Sequence, residues 1–284
     1  MKNYIILFVS TLLLASCLPE EEDKDFTLEN ETDIQQYIVN NNLSPTKTDS
    51  GLYYIIEEEG TGDLPSENSD VKVKIKGSFL DGSSFTQISQ QQDYIIDTFN
   101  LQETITGLKE GVSILKEGSK ATLIIPSNLG YGNSTFRNIP AGSVLIMEVE
   151  LITSDIKKQN DEDILKYITD NNLEANKTES GLYYAITKTS DKEIKPNTNS
   201  NVTVAYKGML LDGTVFDDQS GNLGVSFSLS NVIPGWTEGI PLFKEGEEGV
   251  LLIPSHLGYG NSGIGNTIKG GDVLIFDINL IKVN

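Results

Sequence analysis

The chain of 284 residues has one cysteine, one histidine and a deficit of positive charge. A single cysteine excludes an internal disulfide framework and a thiolate metal cluster. The lone histidine, His256, has no second histidine or cysteine with which to complete a zinc site. It also has no partner serine or thiol for nucleophilic catalysis. Lysine and arginine number 21 against 41 acidic residues, a formal net charge of −20. That balance lacks the basic footprint that nucleic acid requires and disfavours docking on anionic lipid headgroups. It favours solubility and mutual repulsion in a crowded compartment. Proline and glycine are not in excess, and a hydrophobic fraction of 38% fits a globular chain of about two domains.

A long apolar run is also missing. Tyr4 to Ala15 is too short for the roughly 20 residues that span a bilayer. With Lys2 as a basic start it reads as a signal peptide over residues 1–16. Leu14-Ala15-Ser16-Cys17 resembles a bacterial lipobox, which implies a diacylated Cys17 as the mature N-terminus. An ordinary secretory signal ending beside a cysteine is the alternative; the absence of a second cysteine to pair with Cys17 favours acylation. Several acyl chains on one residue make an anchor stable. Residues 17–30, with Glu20-Glu21-Glu22-Asp23, read as an acidic tether. An acidic run at this place is similar to the surface-export signal of Bacteroidetes lipoproteins, and both periplasmic and surface placement stay open.

The rest is a repeat with an offset of about 130 residues. Asp33-Ile-Gln-Gln-Tyr-Ile returns as Asp163-Ile-Leu-Lys-Tyr-Ile, and Ser50-Gly-Leu-Tyr-Tyr as Ser180-Gly-Leu-Tyr-Tyr. Leu129-Gly-Tyr-Gly-Asn-Ser returns as Leu257-Gly-Tyr-Gly-Asn-Ser. A period this long is a duplicated domain, expected here over 31–156 and 157–284. Each unit opens with a short amphipathic helix of about two turns, Ile34, Tyr37 and Ile38 after a Thr32 cap and Ile164, Tyr167 and Ile168 after Asp161. Val71 to Ile75 and Val202 to Tyr206 alternate as strands do, and each runs into an Asp-Gly turn. Ala121–Ile125, Val144–Ile152, Gly249–Ile253 and Val273–Ile281 are further expected strands. Trp236, Ile240 and Phe243 have helical spacing, cut short by Pro241. The expectation is an α+β fold of two tandem units, each an antiparallel sheet curled around a short helix.

The second unit carries an ordered series: Tyr206, then Phe216-Asp217 after the Asp212-Gly213 turn, Phe227, Val232-Ile233-Pro-Gly-Trp236 and Tyr259. This series resembles the FKBP-type peptidyl-prolyl isomerases and covers nearly the whole C-terminal half. The resemblance implies an FKBP-like fold in both units. It implies a proline-binding groove with Trp236 as floor, Tyr259 as lip, and Ile268 and Phe276 as far wall, with Phe216, Phe227, Val232 and Ile233 completing it. Tyr206, Asp217 and Tyr259 take the catalytic places, with Asp217 orienting Tyr206. No cofactor or metal is implied. The chemistry suits such residues: rotation about an X-Pro amide breaks no bond, and the twisted transition state is less polar than the planar amide. A dry aromatic slot favours the twisted form, and the Tyr259 hydroxyl and Ile233 N–H can hold substrate carbonyls.

The first unit keeps Phe85, Phe99, Ile105, Tyr131 and Ile139 but has Ile75, Thr86, Leu108, Thr104 and Met147 where the second has Tyr206, Asp217, Trp236, Val232 and Phe276. Its groove is expected to be shallower and less polar, and poor in catalysis. Its loop from Thr86 to Phe99, with the Gln90-Gln91-Gln92 run, is a few residues longer than its counterpart. Lys269-Gly270-Gly271-Asp272 departs from the family, which often carries prolines there, and alters the groove's rim. Gly258-Tyr-Gly-Asn-Ser-Gly263 has dinucleotide-fingerprint spacing, but further glycines follow where a helix is required. Asp161-Glu-Asp163 suits a helix N-terminus better than a calcium loop.

Three readings remain. The first is a lipid-anchored prolyl isomerase acting on exported, proline-containing polypeptides of the cell envelope. The second is a holding chaperone or assembly module, as the further resemblance to gliding-motility-associated lipoproteins of the Bacteroidetes allows. The third is an envelope spacer. The intact second series makes binding of immunophilin-type macrocycles plausible.

Overall fold

The structure, a computed structural model, describes residues 24–86, 94–221 and 223–284. The expected signal segment, Cys17 and the Gln90–Gln92 run lie outside the described residues.

In the first unit α1 (Thr27–Asn40) precedes β1 (Thr46–Lys47), β2 (Tyr53–Glu58), β3 (Asp70–Ser78) and β4 (Ile95–Asn100). Then come α2 (Thr106–Ser113), β5 (Lys120–Ile125) and β6 (Leu145–Thr153). The second unit repeats this with α3 (Ile156–Asp170), β7 (Asn176–Lys177), β8 (Tyr183–Lys188), β9 (Asn201–Leu210), β10 (Val215–Gln219) and β11 (Val225–Ser228). It closes with α4 (Pro234–Gly239), β12 (Glu248–Ile253) and β13 (Leu274–Val283). Both sheets are antiparallel, in the orders β1-β2-β5-β6-β3-β4 and β7-β8-β12-β13-β9-β10, with β11 also on β9. The closing strand of each unit therefore pairs in mid-sheet.

Both faces of each sheet are covered, which explains why its central strands read as unbroken apolar runs. In β12, Leu251 and Ile253 face a core with Trp236 and Phe276, while Val250 and Leu252 face a second core with Ile164 of α3. In β5, Leu123 and Ile125 join the core that holds Leu108 of α2, and Ile124 packs with Ile34 of α1. The period of two delivers alternate residues to opposite faces. Each fully buried Leu or Ile contributes roughly 2 kcal/mol of hydrophobic stabilisation.

The inner helices lie close on the sheet because glycines face it. A Cβ on Gly235 would sit 2.5 Å from Ile253, and one on Gly239 2.8 Å from Leu251. Pro234 stands in the first turn of α4, where its missing N–H is no loss. Pro241 falls in the 3₁₀ turn Ile240–Leu242 that ends the helix, as its backbone demands. The Asp-Gly turns form as their sequence requires, with Gly82 at φ 84° and Gly213 at φ 85°.

The outer helices differ from expectation. They run for 14 and 15 residues rather than two turns and begin five residues before the expected caps. Asp155, not Asp161, caps α3, accepting from the Lys158 N–H at 3.1 Å. The last four residues of the expected tether, Thr27–Asn30, are helical. Anchoring explains both. Asn30 is buried; its Nδ2 donates to the Gly142 carbonyl and its Oδ1 accepts from the Ser127 N–H. Asn160 repeats the clamp on Gly271 and Ser255, at 2.9 and 2.8 Å. Each first turn carries a single apolar residue, Leu28 or Ile156, so apolar spacing does not reveal it. Asp161 lies inside α3, where it pairs with Lys177 and accepts from the Tyr183 hydroxyl.

The units join directly. Only Ser154 and Asp155 separate β6 from α3, and the Ser154 N–H and hydroxyl both donate to Glu117, at 2.8 and 3.0 Å.

Candidate functional site

The second unit holds a cavity of about 640 Å³ whose wall includes all ten groove residues expected from the sequence. These are Tyr206, Phe216, Asp217, Phe227, Val232, Ile233, Trp236, Tyr259, Ile268 and Phe276. Asn231 and the stretch Ile264–Thr267 complete it.

Trp236, buried in the first turn of α4, is the centre of an aromatic cluster. Tyr206 and Phe276 meet it nearly at right angles, with centroids 4.8 and 5.0 Å away. Phe227 leans on it at 5.2 Å, and Phe216 meets Phe276 edge-on at 5.5 Å. Edge-to-face geometry at these separations is favourable beyond simple burial. Gly208 makes room for it, since a Cβ there would lie 2.5 Å from Phe216 and 2.8 Å from Phe276.

Phe216 and Asp217 are neighbours in a strand, yet both reach the cavity. Regular alternation would send one of them away. The β9–β10 register shifts between Val215, opposite Met209, and Asp217, opposite Gly208, so two residues of β10 span one step of β9. This bulge turns the acid onto the aromatic wall. The Tyr206 hydroxyl donates to Asp217 Oδ2 at 2.6 Å. Burial, followed by that bond, pushes the Tyr206 phenol far above its ordinary range. It stays a protonated donor, and its proton is directed at Asp217.

Two other donors remain open. Ile233 precedes Pro234 and is held extended, at φ −59° and ψ 150°. Its carbonyl accepts from Trp236 N–H at 2.9 Å, while its own N–H meets no acceptor among the described residues. The Tyr259 hydroxyl, on the cavity wall, is a second donor. Tyr259 follows a 3₁₀ turn, Ser255–Leu257, that the Asn160 clamp fixes to α3. Sequence reading missed Asn160; the signal is its exact duplication as Asn30, 130 residues earlier. The Trp236 indole N–H is the one buried side-chain polar atom without a hydrogen-bond partner among the described residues.

His256 lies outside this cavity, its Nε2 donating to the Ser180 carbonyl at 2.9 Å. The Gly258–Gly263 run leads into turns rather than a helix.

The first unit has a counterpart cavity of about 570 Å³. Ile75, Thr86, Leu108, Thr104 and Met147 line it with Phe85, Phe99, Tyr131 and Ile139; Ile105 packs against the core instead. Thr86 is turned to the backbone, its hydroxyl 2.6 Å from the Gly77 N–H it accepts from. The groove is not less polar than its twin, contrary to expectation. Asp97, Glu103 and Arg137 line it, contributed by β4 and by loops outside the matched positions. Phe136 stacks flat on Tyr131 at 4.5 Å.

Two segments of the chain, residues 62–152 and 192–281, match the family described as FKBP-type peptidyl-prolyl cis-trans isomerase. The chain belongs to this family. Its two FKBP units are the two sheets described above. Over 107 residues it is 50% identical to a probable FKBP-type peptidyl-prolyl cis-trans isomerase FkpA of Neisseria meningitidis, covering 37% of this chain and 39% of that one. It is 28% identical to human peptidyl-prolyl cis-trans isomerase FKBP9 over 224 residues, 77% of this chain and 35% of that one. Over 105 residues it is 41% identical to the outer membrane protein MIP of Legionella longbeachae, 37% of this chain and 45% of that one. The chain thus spans less than half the length of these relatives.

Proposed function

We propose that the second FKBP unit is a peptidyl-prolyl cis-trans isomerase that turns X-Pro bonds in polypeptide clients. The observation that carries this reading is the Tyr206–Asp217 pair set on an aromatic cluster floored by Trp236. A proline ring seated on the indole leaves water, and its amide meets rings rather than solvent. Loss of resonance makes the twisted amide less polar, so this environment favours it over the planar ground state. The open Tyr259 hydroxyl and Ile233 N–H hold carbonyls on either side while the bond turns. Asp217 fixes Tyr206 against the floor.

A second reading has support in the first unit. Its groove keeps Phe85, Phe99 and Tyr131 but lacks the Tyr–Asp pair and the indole. We assign it a holding role for extended segments, without turnover. In the same proposal, residues 1–16 direct the chain to the cell envelope and Cys17 anchors it; the lipobox-like sequence and the likeness to an outer membrane protein support this. Proline-containing exported proteins are the clients that follow, and immunophilin-type macrocycles are the small ligands that the second groove would take.

The test is a proline-limited refolding assay with the whole chain and with Asp217→Thr/Trp236→Leu, which copies the first groove into the second. Loss of acceleration with suppression of client aggregation retained supports one catalytic and one holding groove. Acceleration that survives the double change sinks the assignment of the site.

A further inference from the structure

The loop Gly258–Asp272 does two things. It carries Tyr259 and Ile268 of the groove, and it rests on the first unit. The Asn261 amide donates to Asp70 Oδ1 of β3 at 2.7 Å, and Asn100 donates to the same oxygen at 3.1 Å. The Thr98 hydroxyl of β4 donates to the Gly270 carbonyl at 3.3 Å, and Thr98 is 8% exposed. Asn261 is two residues from Tyr259, and Gly270 two from Ile268. Both legs of the loop are therefore held from the other unit, next to the residues that line the groove.

Gly270 shows that the fit is close. A Cβ there would collide with the Asn261 carbonyl and lie 2.9 Å from Thr98 Cβ. The matching position of the first unit is Ala141. Glycine at 270 thus suits both the loop's own Asn261 carbonyl and the approach of Thr98 from the first unit. Within the loop, Gly271 N–H donates to the Gly260 carbonyl at 3.0 Å and Ile264 N–H to the Ile268 carbonyl at 2.9 Å. A shift at either anchor is passed along a hydrogen-bonded frame rather than absorbed in slack chain.

We propose that Asp70 and Thr98 are positioning residues for the groove of the other unit. The first unit then sets the peptide affinity of a site to which it contributes no wall. This rests on the reading of the second groove as a proline-peptide site. Asp70 supplies a charged acceptor, the stronger kind of anchor, and Thr98 a neutral one, so the Asp70 contact dominates.

The chain has a single tryptophan, Trp236, on the floor of the groove. Its emission reports occupancy directly, independently of turnover. The experiment titrates the full chain with a short Ala-Leu-Pro-Phe peptide and follows that emission. Asp70→Ala is expected to weaken binding about fivefold, within the range by which non-contacting residues modulate distant sites. Asp70→Asn, which keeps an acceptor oxygen for Asn261, is expected to restore most of it. Asn261→Ala removes only the bond between the units, Asp70→Ala also the Asn100 bond, so the double variant should be no worse than Asp70→Ala alone. Additive losses, or an Asp70→Ala titration that overlays the wild type, would overturn the positioning role. Should Asp70→Ala fail to fold, Thr98→Val tests the other anchor with the same titration, and unchanged affinity would overturn the role equally. A wild-type emission unmoved by the peptide refutes instead the reading of the groove on which the inference rests.

Discussion

Tyr206 and Asp217 share a 2.6 Å hydrogen bond in which the phenol is the donor. The one carboxylate on the groove wall is therefore engaged by a neighbour, and the tyrosine is an element of the wall rather than a free acid. In the first unit the same two places are Ile75 and Thr86, and no such bond exists.

This pair makes a prediction about pH. Burial and the bond to Asp217 raise the Tyr206 pKa, so the phenol keeps its proton well past its ordinary titration range. Isomerisation should show no loss from this group as pH rises through 10, the ordinary tyrosine value. Tyr206→Phe should lower kcat/KM on the order of tenfold, about 1.4 kcal/mol of transition-state stabilisation. A pH–rate profile of the two proteins checks both points.

Trp236 permits a sharper test of the floor. Its indole N–H is buried without a partner, which costs roughly 1–3 kcal/mol. Trp236→Phe removes that N–H and retains a flat ring. Thermal unfolding should show little loss or a gain, offsetting the smaller ring, whereas Trp236→Ala should cost about 3–5 kcal/mol.

Asn160 secures the loop behind Tyr259 to α3. Asn160→Ala leaves the buried Ser255 N–H and the Gly271 carbonyl without partners, at a cost of about 2–4 kcal/mol. Denaturant unfolding measures it, and peptide affinity should fall as well. Asn30→Ala should match the loss in stability and leave affinity for the second groove unchanged.

Acid should loosen α1. The Tyr53 hydroxyl, and then Lys47, hold the Glu31 pKa below its ordinary value of 4.5. A carboxyl depressed on folding contributes stability above its unfolded pKa and loses it as pH falls through the folded one. Amide exchange of α1, corrected for intrinsic rates, should accelerate in that acidic window. Glu31→Gln should remove the pH dependence there.

What the sequence reveals depends on whether the determinant is local. The aromatic series is legible because each member has a fixed place in an ordered set, and the strands alternate plainly. The starts of α1 and α3 are not legible, because Asn30 and Asn160 gain their meaning only from loops about 100 residues away. The juxtaposition of Phe216 with Asp217 depends on a one-residue register shift, which no periodicity announces. The polarity of the first groove is not legible either, because Asp97 and Arg137 stand outside the aligned positions. Gly270 looks like a flexible rim until Thr98 is found against it.

That glycine also bears on the history of the duplication. Two copies of one unit are interchangeable only while each is indifferent to its place in the chain. Here Gly270 lies against Thr98 and Asn261 reaches Asp70, whereas Ala141 stands at the matching place of the first copy. Reversing the order of the two units would leave the recess facing solvent and bring Ala141 to the junction. The two copies have thus diverged at the junction they share.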